Sequence, residues 1–243
     1  KTAYEMLRSL VGSEMCIRDS INSSAELKAA CGRMGGIICT SSNAFKAIKW
    51  ALERGKRVLF LPDEHLGRNT AYTLGLDENQ LMIYDPLQVD GGIKKPVSEK
   101  VRIFLWKGFC IIHKRFTVEH IKQIRQKFPD AKIIVHPEVP SEVARLSDAQ
   151  GSTSQIVKYV ENAKNGSIIV IGTEINLVMR LAQIHKDRLK IMALSQSACA
   201  NMAKTNENNL LELLRNWPSR NIITVSADVA KFAKTALEKM LAL

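Results

Sequence analysis

Short apolar runs alternate along the chain with longer segments in which apolar residues recur every three or four positions. The short runs have the length of buried strands, and the periodic segments are typical of helices with one buried face. Strands are predicted at residues 36–40, 57–62, 101–106, 132–135, 167–171 and 189–194. Helices are predicted at residues 25–30, 43–54, 117–128, 141–146, 154–162, 175–184, 206–216 and 227–241.

Residues at two of the predicted helix ends support these boundaries. Gly55 follows residues 43–54, where a glycine readily ends a helix, and Thr117 can cap the free N–H groups of the helix that it begins. Strands that alternate with helices in this way favour the α/β class, with parallel sheets covered by helices on both faces.

Two stretches do not follow the alternation. Residues 10–20 have neither a helical nor a strand period, and they look like translated sequencing-adapter read-through. Residues 1–20 are therefore interpreted as a leader of doubtful, foreign origin, excluded from fold reasoning, and the native chain is expected to start near Ile21, inside a domain. Residues 75–100 have a weak pattern and are interpreted as an excursion on the surface or over a site.

Composition narrows the class of protein. The 243 residues are 46% hydrophobic and carry a formal net charge of +11, so the chain has enough apolar surface to fold. Five cysteines without a CxxC pair argue for a reducing compartment, and a cytoplasmic location is expected. No apolar run reaches the roughly 18–20 residues that a membrane span needs, so no membrane partner is expected.

The positive charge is spread along the chain without a run of five lysines or arginines. An ordinary basic surface explains this distribution, a small phosphorylated or carboxylated substrate is the next interpretation, and nucleic acid is third. Nucleic acid is therefore not expected as a partner.

Polar residues with possible chemistry follow several predicted strands, where parallel α/β sheets bind their ligands. His136 and Glu138 follow the strand at 132–135, and the hydroxyls of Ser152 and Thr153 stand at the start of a helix. Such a helix start can bind a carboxylate or a phosphate, and Ser41 stands in a similar segment. A plain helix cap or an exposed acid at a strand end explains the same residues equally simply.

A weak internal repeat involves two cysteines. Residues 60–63 and 135–138 both end a strand with proline and an acid, and Cys110 and Cys199 each follow a strand about one small α/β unit apart. Duplicated domains that each give a cysteine to an iron–sulfur cluster would produce this pattern. A small buried apolar side chain is the alternative for either cysteine.

Eight motifs resemble the quinolinate synthase family and occur in its order from about residue 21 onward. They are NSSAELK at 22–28, CTSSNA at 39–44, LPDEHLG at 61–67, WKGFCIIH at 106–113, VHPE at 135–138, GSTSQ at 151–155, GTEIN at 172–176 and CANM at 199–202. The resemblance implies repeated three-layer α/β/α domains with parallel sheets around a pseudo-threefold axis. In that family each of three domains supplies one cysteine to a [4Fe–4S] cluster.

The resemblance also implies an activity, which is the condensation of iminoaspartate with dihydroxyacetone phosphate to quinolinate, with loss of phosphate and water, in de novo NAD biosynthesis. L-aspartate oxidase is implied as a functional partner. By motif, Cys110 and Cys199 are cluster ligands, Glu138 is the catalytic acid or base, and His136 is catalytic and contacts substrate. The remaining substrate-binding residues are implied to be Asn22, Ser41, Ser152 and Thr153.

The resemblance leaves the first domain of the family, with its ligand cysteine, largely missing. Cys39 is not taken as a replacement, so the chain as printed is expected to hold no stable cluster and to be inactive. The expected divisions are a leader at 1–20, the second domain at 21–111, the third at 112–198 and a cluster-ligand segment with closing helices at 199–243. A non-catalytic α/β module that binds a phosphorylated metabolite or nucleic acid is the alternative, although it would not need both Cys110 and Cys199.

Overall fold

A computed structural model describes residues 15–20, 23–219 and 221–243, with the backbone alone for residues 15–20. It contains two sheets in which every pairing of neighbouring strands is parallel. The expected α/β class is confirmed. Within the described part of the chain, no helix is both long enough and apolar enough to cross a membrane.

The first sheet has the strand order β2-β1-β3-β5-β4. Its strands are β1 (Met15–Ser20), β2 (Ile37–Cys39), β3 (Arg57–Leu61), β4 (Leu81–Tyr84) and β5 (Ile103–Trp106). The helices between them are α1 (Ala25–Arg33), α2 (Ala44–Arg54) and α3 (Glu64–Thr73). Helix α1 is capped by the Ser24 hydroxyl, and α3 is capped by the carboxylate of Asp63.

The second sheet has the strand order β7-β6-β8-β9. Its strands are β6 (Lys132–Val135), β7 (Ala149–Gln150), β8 (Ile168–Gly172) and β9 (Lys190–Ala193). The surrounding helices are α4 (Val118–Lys127), α5 (Ser141–Leu146), α6 (Thr153–Glu161) and α7 (Ile175–Ile184). Two helices complete the chain, α8 (Glu207–Arg215) and α9 (Ala227–Leu241).

Each sheet is covered by helices on both faces. In the first sheet, Phe60 packs with α2 and α3, whereas its neighbours Leu59 and Leu61 pack on the opposite face with α1 and α9. In the second sheet, Val135 packs with α4 and α5, and Ile134 packs with α6 and α7. Since side chains alternate along a strand, these buried runs give each sheet two hydrophobic faces and a three-layer α/β/α arrangement.

The two sheets share a topology. The order β2-β1-β3-β5 in the first corresponds to β7-β6-β8-β9 in the second, with β4 as an additional edge strand of the first sheet. The correspondence matches β3 with β8 and β5 with β9, so the loops that hold Cys110 and Cys199 are equivalent. The pseudo-threefold axis stays a prediction, as does the division into domains.

Four helices or strands differ from the sequence-based expectation, and the shortest of them, β7, was not predicted because two residues form no apolar run. Residues 15–20, which were excluded from the fold, form β1 between β2 and β3, and residues 81–84 of the expected surface excursion form β4. Helix α3 was not predicted, because its buried side chains include Arg68, Asn69 and Thr70, which hide the apolar period. The foreign origin of residues 1–20 stays a prediction.

The last helix returns to the first sheet. Helix α9 packs along α1, with Ala233 and Ala236 buried. A Cβ atom at Gly32 would lie 2.0 Å from the carbonyl oxygen of Phe232, so the two helix backbones touch at this point. Residues 227–241, expected to be closing helices, therefore complete the helical layer beside α1.

Candidate functional site

A buried polar cluster lies where loops from both sheets meet, beyond the carboxyl ends of their strands. Ligand atoms of Cys110, His113 and Glu138 all lie within 4.8 Å of one another. Cys110 belongs to the loop after β5, which continues into a short 3-10 helix at His113–Arg115, and Glu138 follows β6. The first sheet thus supplies the thiol, and the second supplies the carboxylate.

His113 is the centre of this cluster. Its Nδ1 lies 2.9 Å from Oε2 of Glu138, and its Nε2 lies 3.1 Å from the Thr173 hydroxyl. Burial opposes the charge on the imidazole, but hydrogen bonds to Cys110 and Glu138 outweigh it and raise the pKa of His113 to about 9. The ring is therefore an imidazolium, which donates through Nδ1 to Glu138 and through Nε2 to the Thr173 hydroxyl.

His136 stacks on His113, with ring centroids 4.1 Å apart and an angle of 10° between the planes. Burial and the positive charge of His113 lower the pKa of His136 to about 4. Its Nδ1 accepts a hydrogen bond of 3.3 Å from the backbone N–H of Glu138. A neutral ring that accepts at Nδ1 carries its proton on Nε2, which makes His136 a neutral hydrogen-bond donor.

Glu138 is ionised although it is buried. Burial favours the neutral acid, but the hydrogen bond from His113 and the positive charge of that ring hold the pKa of Glu138 below its usual value. A buried carboxylate next to a proton donor can accept a proton and pass it on, which is the function of a general base.

Asp63 is a second buried acid of the site. One carboxylate oxygen accepts from the Leu66 N–H at 2.7 Å and caps α3, and the other accepts from the Cys110 N–H at 2.8 Å. Burial and the charge of Glu138 raise the pKa of Asp63 to about 7, against the lowering effect of these hydrogen bonds.

Two of the four cysteines whose side chains are described have thiols that a metal cluster could reach. Cys110 and Cys199 are partly exposed, and the Cys199 N–H donates to Glu174, which follows β8. Cys31 and Cys39 are fully buried in the hydrophobic layers of the first sheet. Cys110 and Cys199 therefore fit the thiolate chemistry of iron–sulfur clusters, and the described cysteines bring no third thiol to this edge.

A cleft of about 160 Å³ separates the two sheets beside the cluster. Ser41 lines one wall, and Pro137, Gln150 and Gly151 line the other. The side chain of Asn69 crosses the boundary and donates to the carbonyls of Pro137 and Val139, both at 2.8 Å. These bonds hold the segment that contains Glu138 against α3.

Ser152 and Thr153, two of the remaining predicted substrate residues, lie at or beyond this cleft. Ser152 is buried directly after Gly151, and its backbone N–H donates to the Gln155 side chain at 2.8 Å in a capping arrangement. Thr153 is exposed at the start of α6. Asn22 lies outside the described residues.

Several residues of the site were missed by the sequence interpretation. His113, Thr173 and Glu174 lie in quoted motifs but received no role, and Asp63 was noted only as an acid after proline. The available signal was positional, because Asp63 and Glu174 each stand two residues after the last residue of a strand. Asn69 gave no such signal, since it lies in the unpredicted α3.

Comparisons with known proteins give one consistent result. The family model described as Quinolinate synthetase A protein matches residues 13–242, which include part of the segment excluded from fold reasoning. The quinolinate synthase of Corynebacterium glutamicum is 44% identical over 243 residues, and the match covers 98% of this chain and 62% of the relative. That of Rhodopirellula baltica is 43% identical over 227 residues, covering 91% and 58%.

A third relative, the quinolinate synthase of Bacillus anthracis, is 42% identical over 248 residues, with 98% of this chain and 66% of the relative covered. The chain thus spans 58% to 66% of the length of these curated relatives.

Proposed function

The chain belongs to the quinolinate synthetase A family, and from this premise we propose that the full-length protein is a quinolinate synthase. It condenses iminoaspartate with dihydroxyacetone phosphate, with loss of phosphate and water, in de novo NAD biosynthesis. The observation that carries the proposal is the group formed by buried Glu138, buried His113 and partly exposed Cys110, beside the cleft between the two sheets. A non-catalytic module would have no use for an ionised acid buried next to a thiol.

The reaction class explains the partners that we propose. Iminoaspartate carries two carboxylates and dihydroxyacetone phosphate carries a phosphate, which suits the net charge of +11. We place the enzyme in the cytoplasm, where L-aspartate oxidase would supply the unstable imine.

Cys110 and Cys199 would hold a [4Fe–4S] cluster together with a third cysteine of the longer protein. When bound, such a cluster with three protein ligands offers an open iron that acts as a Lewis acid on substrate oxygen or nitrogen. The chain as printed is expected to hold no stable cluster and to be inactive, because among the described thiols only those of Cys110 and Cys199 are accessible.

Glu138 is the proposed general acid or base. Closing the pyridine ring requires the removal of protons from carbon and from hydroxyl groups, and a carboxylate ionised at neutral pH is ready to accept them. The imidazolium of His113 orients this carboxylate through the 2.9 Å hydrogen bond. The Nε2–H of His136 is available to donate to a substrate oxygen.

The cleft is the proposed place for the charged ends of the substrates. Ser41 on one wall and the segment of Ser152 and Thr153 beside the other supply hydroxyls and helix-start N–H groups, which suit carboxylate or phosphate oxygens. Asn22 is proposed as a further substrate contact from the motif that contains it.

The decisive experiment replaces Glu138 by glutamine in the full-length protein, because glutamine keeps the size of the side chain and removes its basicity. We expect quinolinate formation to fall by about 10³-fold, the scale of general acid–base catalysis, with the cluster absorbance unchanged. Glu142→Gln, on the exposed surface of α5, is the matched control and should keep full activity. Retained turnover in Glu138→Gln would remove Glu138 from the mechanism.

A further inference from the structure

The loop of Cys110 is attached to the end of β3 by a pair of hydrogen bonds. The Cys110 N–H donates to the Asp63 carboxylate at 2.8 Å, and the Glu64 N–H donates to the carbonyl of Gly108 at 2.8 Å. Asp63 also caps α3 through the Leu66 N–H. One acid therefore joins a strand end, the following helix and the cysteine loop of the neighbouring strand.

The loop of Cys199 is attached to the end of β8 in the same way. The Cys199 N–H donates to the Glu174 carboxylate at 3.4 Å, and the Ile175 N–H donates to the carbonyl of Ser197 at 3.0 Å. The other carboxylate oxygen of Glu174 accepts from the Asn176 N–H at 2.8 Å and caps α7.

The contacts that the two cysteine loops make correspond residue by residue. In each, the cysteine N–H binds the acid, and the residue after the acid binds the carbonyl two positions before the cysteine. Asp63 and Glu174 follow the equivalent strands β3 and β8, and both are buried, at 6% and 7% exposure. Helix capping alone does not require this arrangement, since Asp77 caps its 3-10 helix through the Asn79 N–H without any cysteine contact.

We propose that Asp63 and Glu174 are paired positioning residues, each of which fixes the backbone of one cluster-binding cysteine through its second carboxylate oxygen. This inference rests on the proposed function, in which both cysteines bind the cluster. Fixing both cysteines before the metal arrives reduces the conformational entropy that binding must overcome.

The test uses Asp63→Ser and Glu174→Ser. Serine is a good N-cap, so the helix cap is kept, but its side chain is too short to reach the cysteine N–H as well. The metal-free chain is treated with iodoacetamide, and peptide mass spectrometry measures the rate at which each cysteine is alkylated. We expect Asp63→Ser to raise the alkylation rate of Cys110 about fivefold and to leave that of Cys199 unchanged. Glu174→Ser should raise the alkylation rate of Cys199 about fivefold and leave that of Cys110 unchanged. The reason is that each cysteine loop opens more often when its hydrogen bond is lost.

Two further measurements keep the test decisive. Thermal unfolding of both variants reports any global loss of structure, and Asp77→Ser is the control that alters a cap without touching a cysteine. Equal changes at both cysteines in either variant, or no change at either, would overturn the proposal. Should Asp63→Ser fail to fold, the Glu174→Ser pattern alone decides. Failure of the longer enzyme to bind iron would refute the proposed function without altering this pattern.

Discussion

His113 and His136 stack face to face, yet His113 is positively charged and His136 is neutral. Both are buried, but only His113 forms a short hydrogen bond to Glu138, whereas His136 is 3.9 Å from that carboxylate and beside an imidazolium. Partners that lie far apart along the chain determine these pKa values. The sequence could therefore identify His136 and Glu138 as candidate catalytic residues. It could not assign their protonation states or show that His113 is the hydrogen-bond partner of Glu138.

Asp148 offers a test of carboxylate ionisation at an exposed position away from the site. Burial alone would raise the pKa of Asp148, but hydrogen bonds of 2.7 Å from the Ile133 N–H and from Arg125 hold it below its usual value. Because the pKa is lower in the folded state, the carboxylate stabilises the fold at neutral pH, and this contribution is lost as the pH falls through the lowered value.

We predict that Asp148→Asn lowers the free energy of unfolding at pH 7 by about 0.5–1 kcal/mol, since hydrogen bonds to a charged acceptor are lost but solvent screens the charge at this exposed position. The difference from the parent protein should shrink as the pH falls below about 4. Urea unfolding across this pH range measures it. Asp130→Asn, at an exposed position just before β6, should behave like the parent. A difference independent of pH would contradict the electrostatic explanation.

At the scale of elements, most helices and strands could be predicted because their apolar period and their caps agree. Thr117 caps α4 as expected, and α5 and α7 have the predicted bounds. Helix α3 could not be predicted, because Asn69 and Thr70 are buried for their hydrogen bonds and not for their hydrophobicity. The pairing of β4 with β5 depends on tertiary contacts that a local pattern does not contain.

The structure was also needed to decide which residues of the internal repeat are equivalent. The sequence paired Asp63 with Glu138 because both follow proline, whereas the strand orders make Asp63 equivalent to Glu174. The pairing of the segments at Cys110 and Cys199 agrees with the topology. Spacing alone could not distinguish the two acids, since β4 and its flanking residues lengthen the first unit.

Gly108 is the point at which two elements come closest. A Cβ atom there would lie 2.2 Å from the carbonyl oxygen of Pro62, so any side chain forces the loop after β5 away from the end of β3. We predict that Gly108→Ala costs about 2–3 kcal/mol, the range of overpacked sites, measured by chemical unfolding.

The control for this prediction is Gly166→Ala. Its added Cβ meets nothing within 4 Å, but its φ of +80° disfavours a side chain, so a cost of about 1 kcal/mol is expected. If Gly108→Ala were no more costly than Gly166→Ala, the loop would not be held closely against β3.

At the scale of the whole molecule, the packing of α9 on α1 connects the end of the described chain to its first sheet. Ala236 is fully buried between these elements, whereas its neighbour Thr235 is exposed. Arg33 also forms an ion pair with Asp228, and Lys239 donates to the carbonyl of Gly35 at 2.7 Å. The α/β unit built on the first sheet therefore includes residues that precede the second sheet along the chain and residues that follow it.

We predict that Ala236→Asp destabilises the first unit by about 3 kcal/mol or more, because it buries an unpaired charge. Hydrogen exchange should then rise in α1 and β2 and remain slow in β6 and β8. Thr235→Asp places the same charge one residue away on the exposed face and should leave exchange unchanged. Uniform exchange in both sheets of Ala236→Asp would show that the two units unfold as one.

The packing of α9 on the first sheet also affects the order in which the two units can fold during translation. Residues 118–193 contain every strand of the second sheet and emerge before α9, so that unit can fold while translation continues. The first sheet begins earlier but lacks part of one helical cover until residues 227–241 have been made. Its face at Leu59 and Leu61 must wait for α9, so of the two described units the one that is translated earlier is completed later.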